Sequence, residues 1–182
     1  MSPRKEGIPW DEVKLLQGET IFQVEIGLIR RPYPFIGLQA YQGRWPAPVI
    51  VELEWGLDIG RLTGPWEHQK KNIMGRIVRF AERADMLRLA ETKKEDKNSR
   101  IIFEECVKNE GLEMKLLRIE HTLELKKTTF YYEAEGRIDF RKLVKELASR
   151  LRRRIELYQV NETEAFLLKP TIGPCGLGLC CQ

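Results

Sequence analysis

The stretch that decides the fold is FYYEAEGRIDFRKLVKELASRLRRRIELYQV, residues 130–160, which combines a strand, a helix and a second strand. Its opening continues the strand TTFYYEAEG (128–136), and RRRIELYQV (152–160) returns as another strand. Between them Asp139 is placed to cap a helix whose apolar residues recur at the spacing of an amphipathic helix: Phe140, Leu143, Val144, Leu147 and Leu151. This pattern predicts a helix packed on a sheet.

The segments upstream extend this unit into a mixed domain. LEMKLLRIEHTLEL (112–125) alternates as a strand and predicts a hairpin with the strand that follows it. A helix capped at Asn98 or Ser99 is expected to end at Gly111, with a short helix at 82–91 and a strand at 73–81. The resulting order over residues 71–160 predicts an α+β domain of the ferredoxin-like type (βαββαβ).

The N-terminal half has a different pattern. Residues 20–70 show short alternating runs such as PVIVELEW (48–55), separated by Gly and Pro, which predict a small β-rich unit after an N-terminal extension at 1–19. A proline-rich segment within it is expected to be a loop whose aromatic side chains fold back over the core: Tyr33, Phe35, Tyr41 and Trp45. Residues 161–182 are expected to form a tail.

The sequence indicates the cellular compartment of the protein, but its net charge does not identify the kind of binding partner. The 182 residues are 42% hydrophobic and 32% charged, with a formal net charge of +4, which is a mild excess of positive charge. The polar N-terminus does not resemble a secretory signal, and no apolar run approaches the roughly 20 residues of a membrane span. We therefore expect a cytoplasmic protein whose cysteines are reduced.

Basic residues concentrate at the decisive helix. The run SRLRRRIEL places four arginines where cations are favoured by the C-terminal carbonyls of a helix. This effect does not explain their density, because the same segment carries further cations, and arginine forks suit phosphate oxygens. The sequence thus predicts a surface for nucleic acid or for an acidic protein partner, formed by Arg137, Arg141, Lys142, Lys145, Arg150, Arg152, Arg153 and Arg154.

Three of the four cysteines lie in the final stretch GPCGLGLCCQ: Cys175, Cys180 and Cys181. Their spacing is not the paired Cys-x2-Cys of structural zinc, whereas iron–sulfur clusters accept irregular spacings. Three thiolates do not complete a [4Fe–4S] ligand set, so iron–sulfur, zinc and an unliganded, redox-sensitive tail all remain open. Cys106 lies on an apolar helix face and is expected to be a buried core residue.

The sequence contains no recognisable catalytic motif. It has no phosphate-binding loop, no dinucleotide-binding fingerprint and no HExxH, and its carboxylates follow the polar faces of amphipathic elements. We therefore expect a non-catalytic protein. A thiol oxidoreductase would require an accessible, activated thiol pair, and Cys-x-x-Cys does not occur.

The motifs EGRIDFRKLVKELA (135–148) and GPCGLGLCC (173–181) resemble those of the bacterial RicT (YaaT) family, whose shared module is the polymerase-suppressor (PSP) C-terminal domain. The resemblance extends upstream to about Val49. It implies a cytoplasmic accessory factor that forms a complex with two small helical partners, carries iron–sulfur clusters and steers ribonuclease Y in mRNA processing and maturation.

The resemblance also implies roles for the tail. Cys175, Cys180 and Cys181 match the first cysteine group of the family, which ligates a cluster. The family's second cysteine group is not among these residues, so a [4Fe–4S] cluster is expected to be shared with a partner or bridged between copies. The alternative hypothesis is a stand-alone nucleic-acid-binding module whose tail binds zinc or no metal.

Overall fold

The computed structural model describes residues 15–67, 72–136 and 138–168. They belong to two compact units that divide between Met86 and Leu87. The chain has mixed α and β structure, as the sequence predicts.

Five strands of the first unit close into a barrel in the order β1-β2-β5-β3-β4. Neighbouring strands are antiparallel except for β2 and β5, which are parallel. Alternate side chains point inward and form a core that includes the fully buried Phe22, Val24 and Phe35. The predicted N-terminal β unit is therefore a barrel, whose strands are Glu19–Ile26 (β1), Arg31–Leu38 (β2), Ala47–Leu53 (β3), Gly56–Pro65 (β4) and Gly75–Phe80 (β5).

The proline-rich segment is partly a strand. Arg31–Leu38 pairs with β1 along its whole length, whereas β5 contacts it only at Phe35 and Ile36. Pro32 and Pro34 precede the short pairing with β5, where a strand tolerates residues that lack an N–H. The prediction of a loop was wrong for β2, but the prediction that the aromatic side chains fold back onto the core is confirmed by the buried Phe35 and Tyr41.

The ferredoxin-like arrangement predicted for residues 71–160 is not formed. Its expected first strand, β5, belongs to the barrel, where Ile77 joins the barrel core. A Cβ atom at Gly75 would collide with the backbone carbonyl of Glu52 in β3, so the absence of a side chain permits this close pairing. A strand pattern alone predicts a strand but not the sheet it joins.

The second unit contains a three-stranded sheet in the order β6-β7-β8, formed by Lys115–His121 (β6), Lys127–Glu133 (β7) and Arg154–Gln159 (β8). The predicted hairpin of β6 and β7 is confirmed, and β8 lies parallel to β7. The helices of this part of the chain are Arg83–Thr92 (α1), which crosses the division between the units, Glu95–Glu110 (α2), Arg141–Leu151 (α3) and Glu162–Leu168 (α4).

Helix α2 begins earlier than its sequence suggests. Glu95 and Asp96 occupy its first turn, where carboxylates are favoured by the helix dipole, and Ser99 is buried inside the helix rather than capping it. The predicted end is confirmed, because Gly111 adopts the left-handed conformation and donates to the carbonyl of Lys108.

Helix α3 packs on the sheet through Leu143, Leu147 and Leu151, all buried. Phe103 of α2 and Phe130 of β7 stack in the same core with ring centroids 4.9 Å apart. The sheet and helix predicted from residues 130–160 are thus confirmed.

The first residues of the expected C-terminal tail form helix α4. The Asn161 side chain accepts from the Glu164 backbone N–H at 2.8 Å, and the Glu164 carboxylate accepts from the Asn161 N–H, which is a reciprocal cap. Arg118 Nε donates to the carbonyl of Leu168 at 3.0 Å and ties α4 to β6. In the part of the chain that the structure describes, no helix has the length and apolar character needed to cross a membrane.

Candidate nucleic-acid interface

The exposed side of α3 carries three of the predicted basic residues. Leu143 and Leu147 face the core, so Arg141, Lys142 and Lys145 lie on the opposite side of the helix and are exposed. Their spacing of three and four residues makes them neighbours on that side.

Asp139 contributes little to neutralising this side. Its Oδ1 accepts a hydrogen bond from the Arg141 backbone N–H at 3.2 Å and so caps α3 from one residue outside the expected position, with Phe140 between. The same oxygen lies 3.9 Å from Arg141 Nε, and both side chains are largely exposed, at 89% and 78%. An exposed pair of this kind contributes only about 0–1 kcal/mol, so the positive charge of Arg141 remains available to a ligand.

Arg152 follows the last residue of α3 and is also exposed. Its backbone is left-handed (φ 50°) and its N–H donates to the Ala148 carbonyl, which ends the helix. In the described part of the chain, no ion pair joins Lys142, Lys145 or Arg152 to a carboxylate. We call Arg141, Lys142, Lys145 and Arg152 the open cations.

Two other arginines of the same run are internal to the unit. Arg150 Nη1 lies 2.9 Å from Glu105 Oε2 of α2, and its Nη2 lies 3.1 Å from Glu146 Oε1 on α3 itself. Arg153 Nη2 lies 3.0 Å from Glu95 Oε2, with the Arg153 side chain only 17% exposed. We call Arg150 and Arg153 the paired arginines. Their charges are compensated by carboxylates, mainly of α2, so these residues fasten α3 and β8 to α2.

The remaining predicted basic residues divide further. Arg154 is the first residue of β8, where its N–H donates to the Lys126 carbonyl, so it belongs to the sheet rather than to a continuous helix face. Arg137 lies outside the described residues. The described members of this predicted surface therefore do not share one helix face, because the helix ends at Leu151 and the side chains of Arg150 and Arg153 are paired with carboxylates. Their binding of nucleic acid or of a protein partner stays a prediction.

Of the four cysteines, Cys106 is the one among the described residues. Cys175, Cys180 and Cys181 lie outside the described residues. Cys106 is fully buried among the side chains of the second core, as expected. Burial, reinforced by a hydrogen bond with Glu146, raises the pKa of the Cys106 thiol to about 11. A protonated thiol in an apolar core is poorly suited to ligate a metal.

The described residues contain no group of three or more His, Cys, Asp or Glu side chains arranged to hold a metal ion.

A buried polar cluster around His121 lies near Arg153, and the sequence pattern did not reveal it. His121 is 4% exposed, with its Nδ1 2.9 Å from Thr128 Oγ1 and its Nε2 3.3 Å from Asp96 Oδ1. In the described part of the chain, the Nε2 atom makes no hydrogen bond, and neither does the buried Oγ of Ser99 one turn along α2. The signal available in the sequence was the alternation of β6, which puts His121 on the same side as the apolar Ile119.

The environment keeps His121 neutral at pH 7. The pKa of His121 is lowered from 6.5 to about 4, mainly by burial and also by the positive charge of Arg153, while Glu95 opposes the shift. Asp96 touches the ring, but burial raises the pKa of its own carboxyl group. His121 of β6 therefore connects Asp96 of α2 with Thr128 of β7, and it also interacts with Arg153.

Comparisons with known proteins find one family model and two relatives for this chain. Residues 75–160 match the PSP1 C-terminal conserved region. The stage 0 sporulation protein YaaT of Bacillus subtilis is 38% identical over 138 residues, which are 74% of this chain and 50% of YaaT. An uncharacterized protein of Schizosaccharomyces pombe is 33% identical over 88 residues, 48% of this chain and 12% of its own length.

The chain thus spans at most half the length of these curated relatives. No solved structure matches it at a significant level. The matched region contains β5, α2, the three-stranded sheet and α3 with its open cations, whose motif first indicated the resemblance. With this match and the YaaT alignment, the chain contains the PSP1 C-terminal conserved region and resembles the RicT (YaaT) family.

Proposed function

We propose that this chain is a non-catalytic regulatory adaptor of the RicT type, which acts in the cytoplasm on RNA processing. The observation that carries the proposal is the 38% identity to YaaT across 74% of the chain. The exposed basic residues of α3, which lie within the matched PSP1 region, supply a surface suited to an anionic partner. The adaptor would bind two small helical partner proteins and, through them, the ribonuclease Y machinery.

The tail thiols are the proposed cofactor site. Cys175, Cys180 and Cys181 supply three thiolates, and a [4Fe–4S] cluster takes its fourth ligand from a partner or a second copy. Cys106 is excluded as that fourth ligand because its thiol is buried in the core with a raised pKa. When bound, the cluster would supply a redox-sensitive link between adaptor and partner.

Anaerobic purification tests this site directly. The chain is expressed alone and with the two small helical proteins of its host's complex, and iron, sulfide, zinc and the absorption spectrum are measured. We expect iron and sulfide in equal amounts in the complex and their loss in the Cys175→Ser/Cys180→Ser/Cys181→Ser variant. Cys106→Ala is the matched control and should keep the cluster.

The alternative outcome is equally defined. If the chain forms no complex, and binds zinc or no metal in every preparation, the adaptor proposal is wrong. The stand-alone nucleic-acid-binding module then becomes the better hypothesis, and the specific observation in its favour is the set of open cations.

A further inference from the structure

We propose that the open cations bind the phosphate backbone of single-stranded RNA, with Phe140 stacking on a base at one end of the site. The choice of RNA rather than DNA rests on the proposed function in RNA processing. The binding itself is argued from the side chains of α3 and their surroundings.

The first argument is the distribution of charge. The carboxylates near the run of basic residues are engaged with the paired arginines: Glu95 with Arg153, and Glu105 and Glu146 with Arg150. Among the described ion pairs, that of Asp139 with Arg141 is the one that involves an open cation, and it is long and exposed. The open cations therefore retain an excess of positive charge, whereas the charges of the paired arginines are compensated.

The second argument is spacing. Arg141 and Lys145 are four residues apart, which places their Cβ atoms about 5–6 Å from each other, and Lys142 is the i, i+3 neighbour of Lys145. From Arg141 to Arg152 the helix advances by about 16 Å at 1.5 Å per residue. This row can follow several successive phosphates of an extended strand.

The third argument distinguishes a nucleic acid from an acidic protein. Protein interfaces are centred on apolar and aromatic anchors and are depleted in lysine. The exposed turns of α3 present two lysines and Ser149, and their large apolar side chains are turned toward the core. Such a surface suits a polyanion that is held mainly by charge.

The fourth argument selects a single strand. Phe140 immediately precedes α3 and leaves 36% of its residue surface exposed beside Arg141. An exposed ring next to a row of cations is the combination used by proteins that bind single strands, because each base can stack on the ring. Duplex RNA would leave the ring unused, since its bases are already stacked and its major groove is too narrow for a helix.

Binding of the purified full-length chain to a fluorescein-labelled oligouridylate, followed by fluorescence anisotropy across a salt series, tests the proposal. The variant Arg141→Gln/Lys142→Gln/Lys145→Gln should lose about tenfold or more in affinity at low salt. Its log–log salt slope should become shallower by about 2, because three phosphate contacts of a single strand contribute about 0.7 each.

Two further variants make the result specific. Lys93→Gln/Lys97→Gln/Lys108→Gln removes the same total charge from exposed lysines of α2 and its N-terminal approach, and should bind almost as the wild type does. Phe140→Leu should lose about fivefold in affinity with an unchanged salt slope, since stacking carries no counterion term.

Equal losses in the two triple variants would overturn the proposal, because net charge rather than a site would then control binding. It would also be overturned by polyglutamate binding as tightly as oligouridylate, which would indicate an acidic protein partner. These measurements use no partner protein and no metal, so their failure is separable from failure of complex formation and metal loading, which test the proposed function.

Discussion

The two groups of basic residues at α3, the paired arginines and the open cations, are both positively charged, but their surroundings differ. The paired arginines reach carboxylates of α2 and α3, and Arg153 also acts on the buried His121, whereas the open cations face solvent. The difference shows that a dense run of basic residues in a sequence can have two roles: some form ion pairs that stabilise the fold, and others are available to bind a ligand. Only the partner of each guanidinium or ammonium separates them, and each group predicts a different response to mutation.

The largest expected effect concerns His121, whose pKa is lowered in part by the charge of Arg153. Its pKa is 6.5 when unfolded and about 4 in the folded chain, so the folded state binds fewer protons between these values. Stability should therefore fall as the pH drops from about 6.5 to 4, by about 3 kcal/mol at 1.36 kcal/mol per pKa unit. Urea unfolding at a series of pH values measures this loss.

His121→Gln is the control for this prediction, because other acidic groups, including Asp96, titrate in the lower part of the same range. The difference in unfolding free energy between wild type and variant should shrink as the pH falls. A difference that stays constant with pH would show that His121 is not held neutral by its surroundings.

The second prediction concerns Arg153, the more buried of the paired arginines. Arg153→Met should destabilise the chain by about 1–3 kcal/mol, because the substitution removes the guanidinium and leaves the Glu95 carboxylate without its partner. Removal of its positive charge should also raise the pKa of His121, which an NMR titration of the imidazole ring detects. An unchanged histidine titration would contradict the coupling between Arg153 and the cluster.

A feature of the fold could be predicted when it depends on residues that are close together in the sequence, and not when it depends on residues that are far apart. Helix α3 and the β6–β7 hairpin are set by periodicity within neighbouring residues, and both predictions are confirmed. The position of β5 in the barrel requires pairing with β2 and β3 across distant sequence, so the strand was found and its sheet was not.

The same limit applies to the candidate site. Glu105 precedes Arg150 by 45 residues, and Glu95 precedes Arg153 by 58, so their pairing leaves no local pattern. The sequence could therefore count the basic residues but could not divide them. The roles of Cys175, Cys180 and Cys181 stay predictions, since these residues lie outside the described part of the chain.

The third prediction compares the two paired arginines with each other. Arg150 is more exposed than Arg153, with 39% of its side chain accessible, and its partner Glu105 is 58% exposed. Solvent screening reduces such a pair to about 0.2–1 kcal/mol, so Arg150→Met should cost less than Arg153→Met. A double-mutant cycle with Glu105→Gln measures the coupling energy between Arg150 and Glu105. A coupling energy larger than that between Arg153 and Glu95 would show that Arg150, and not Arg153, contributes more to stability.

The smallest effect on stability is expected for the open cations, and it is the sharpest test of the comparison. Arg141→Gln/Lys142→Gln/Lys145→Gln should change the free energy of unfolding by less than about 0.5 kcal/mol, because these exposed side chains lie away from the core and helix propensity is nearly retained. Loss of RNA affinity at unchanged stability would then assign these residues to binding alone. A marked destabilisation would instead show that they also fasten the fold, and the distinction between paired and open would not hold.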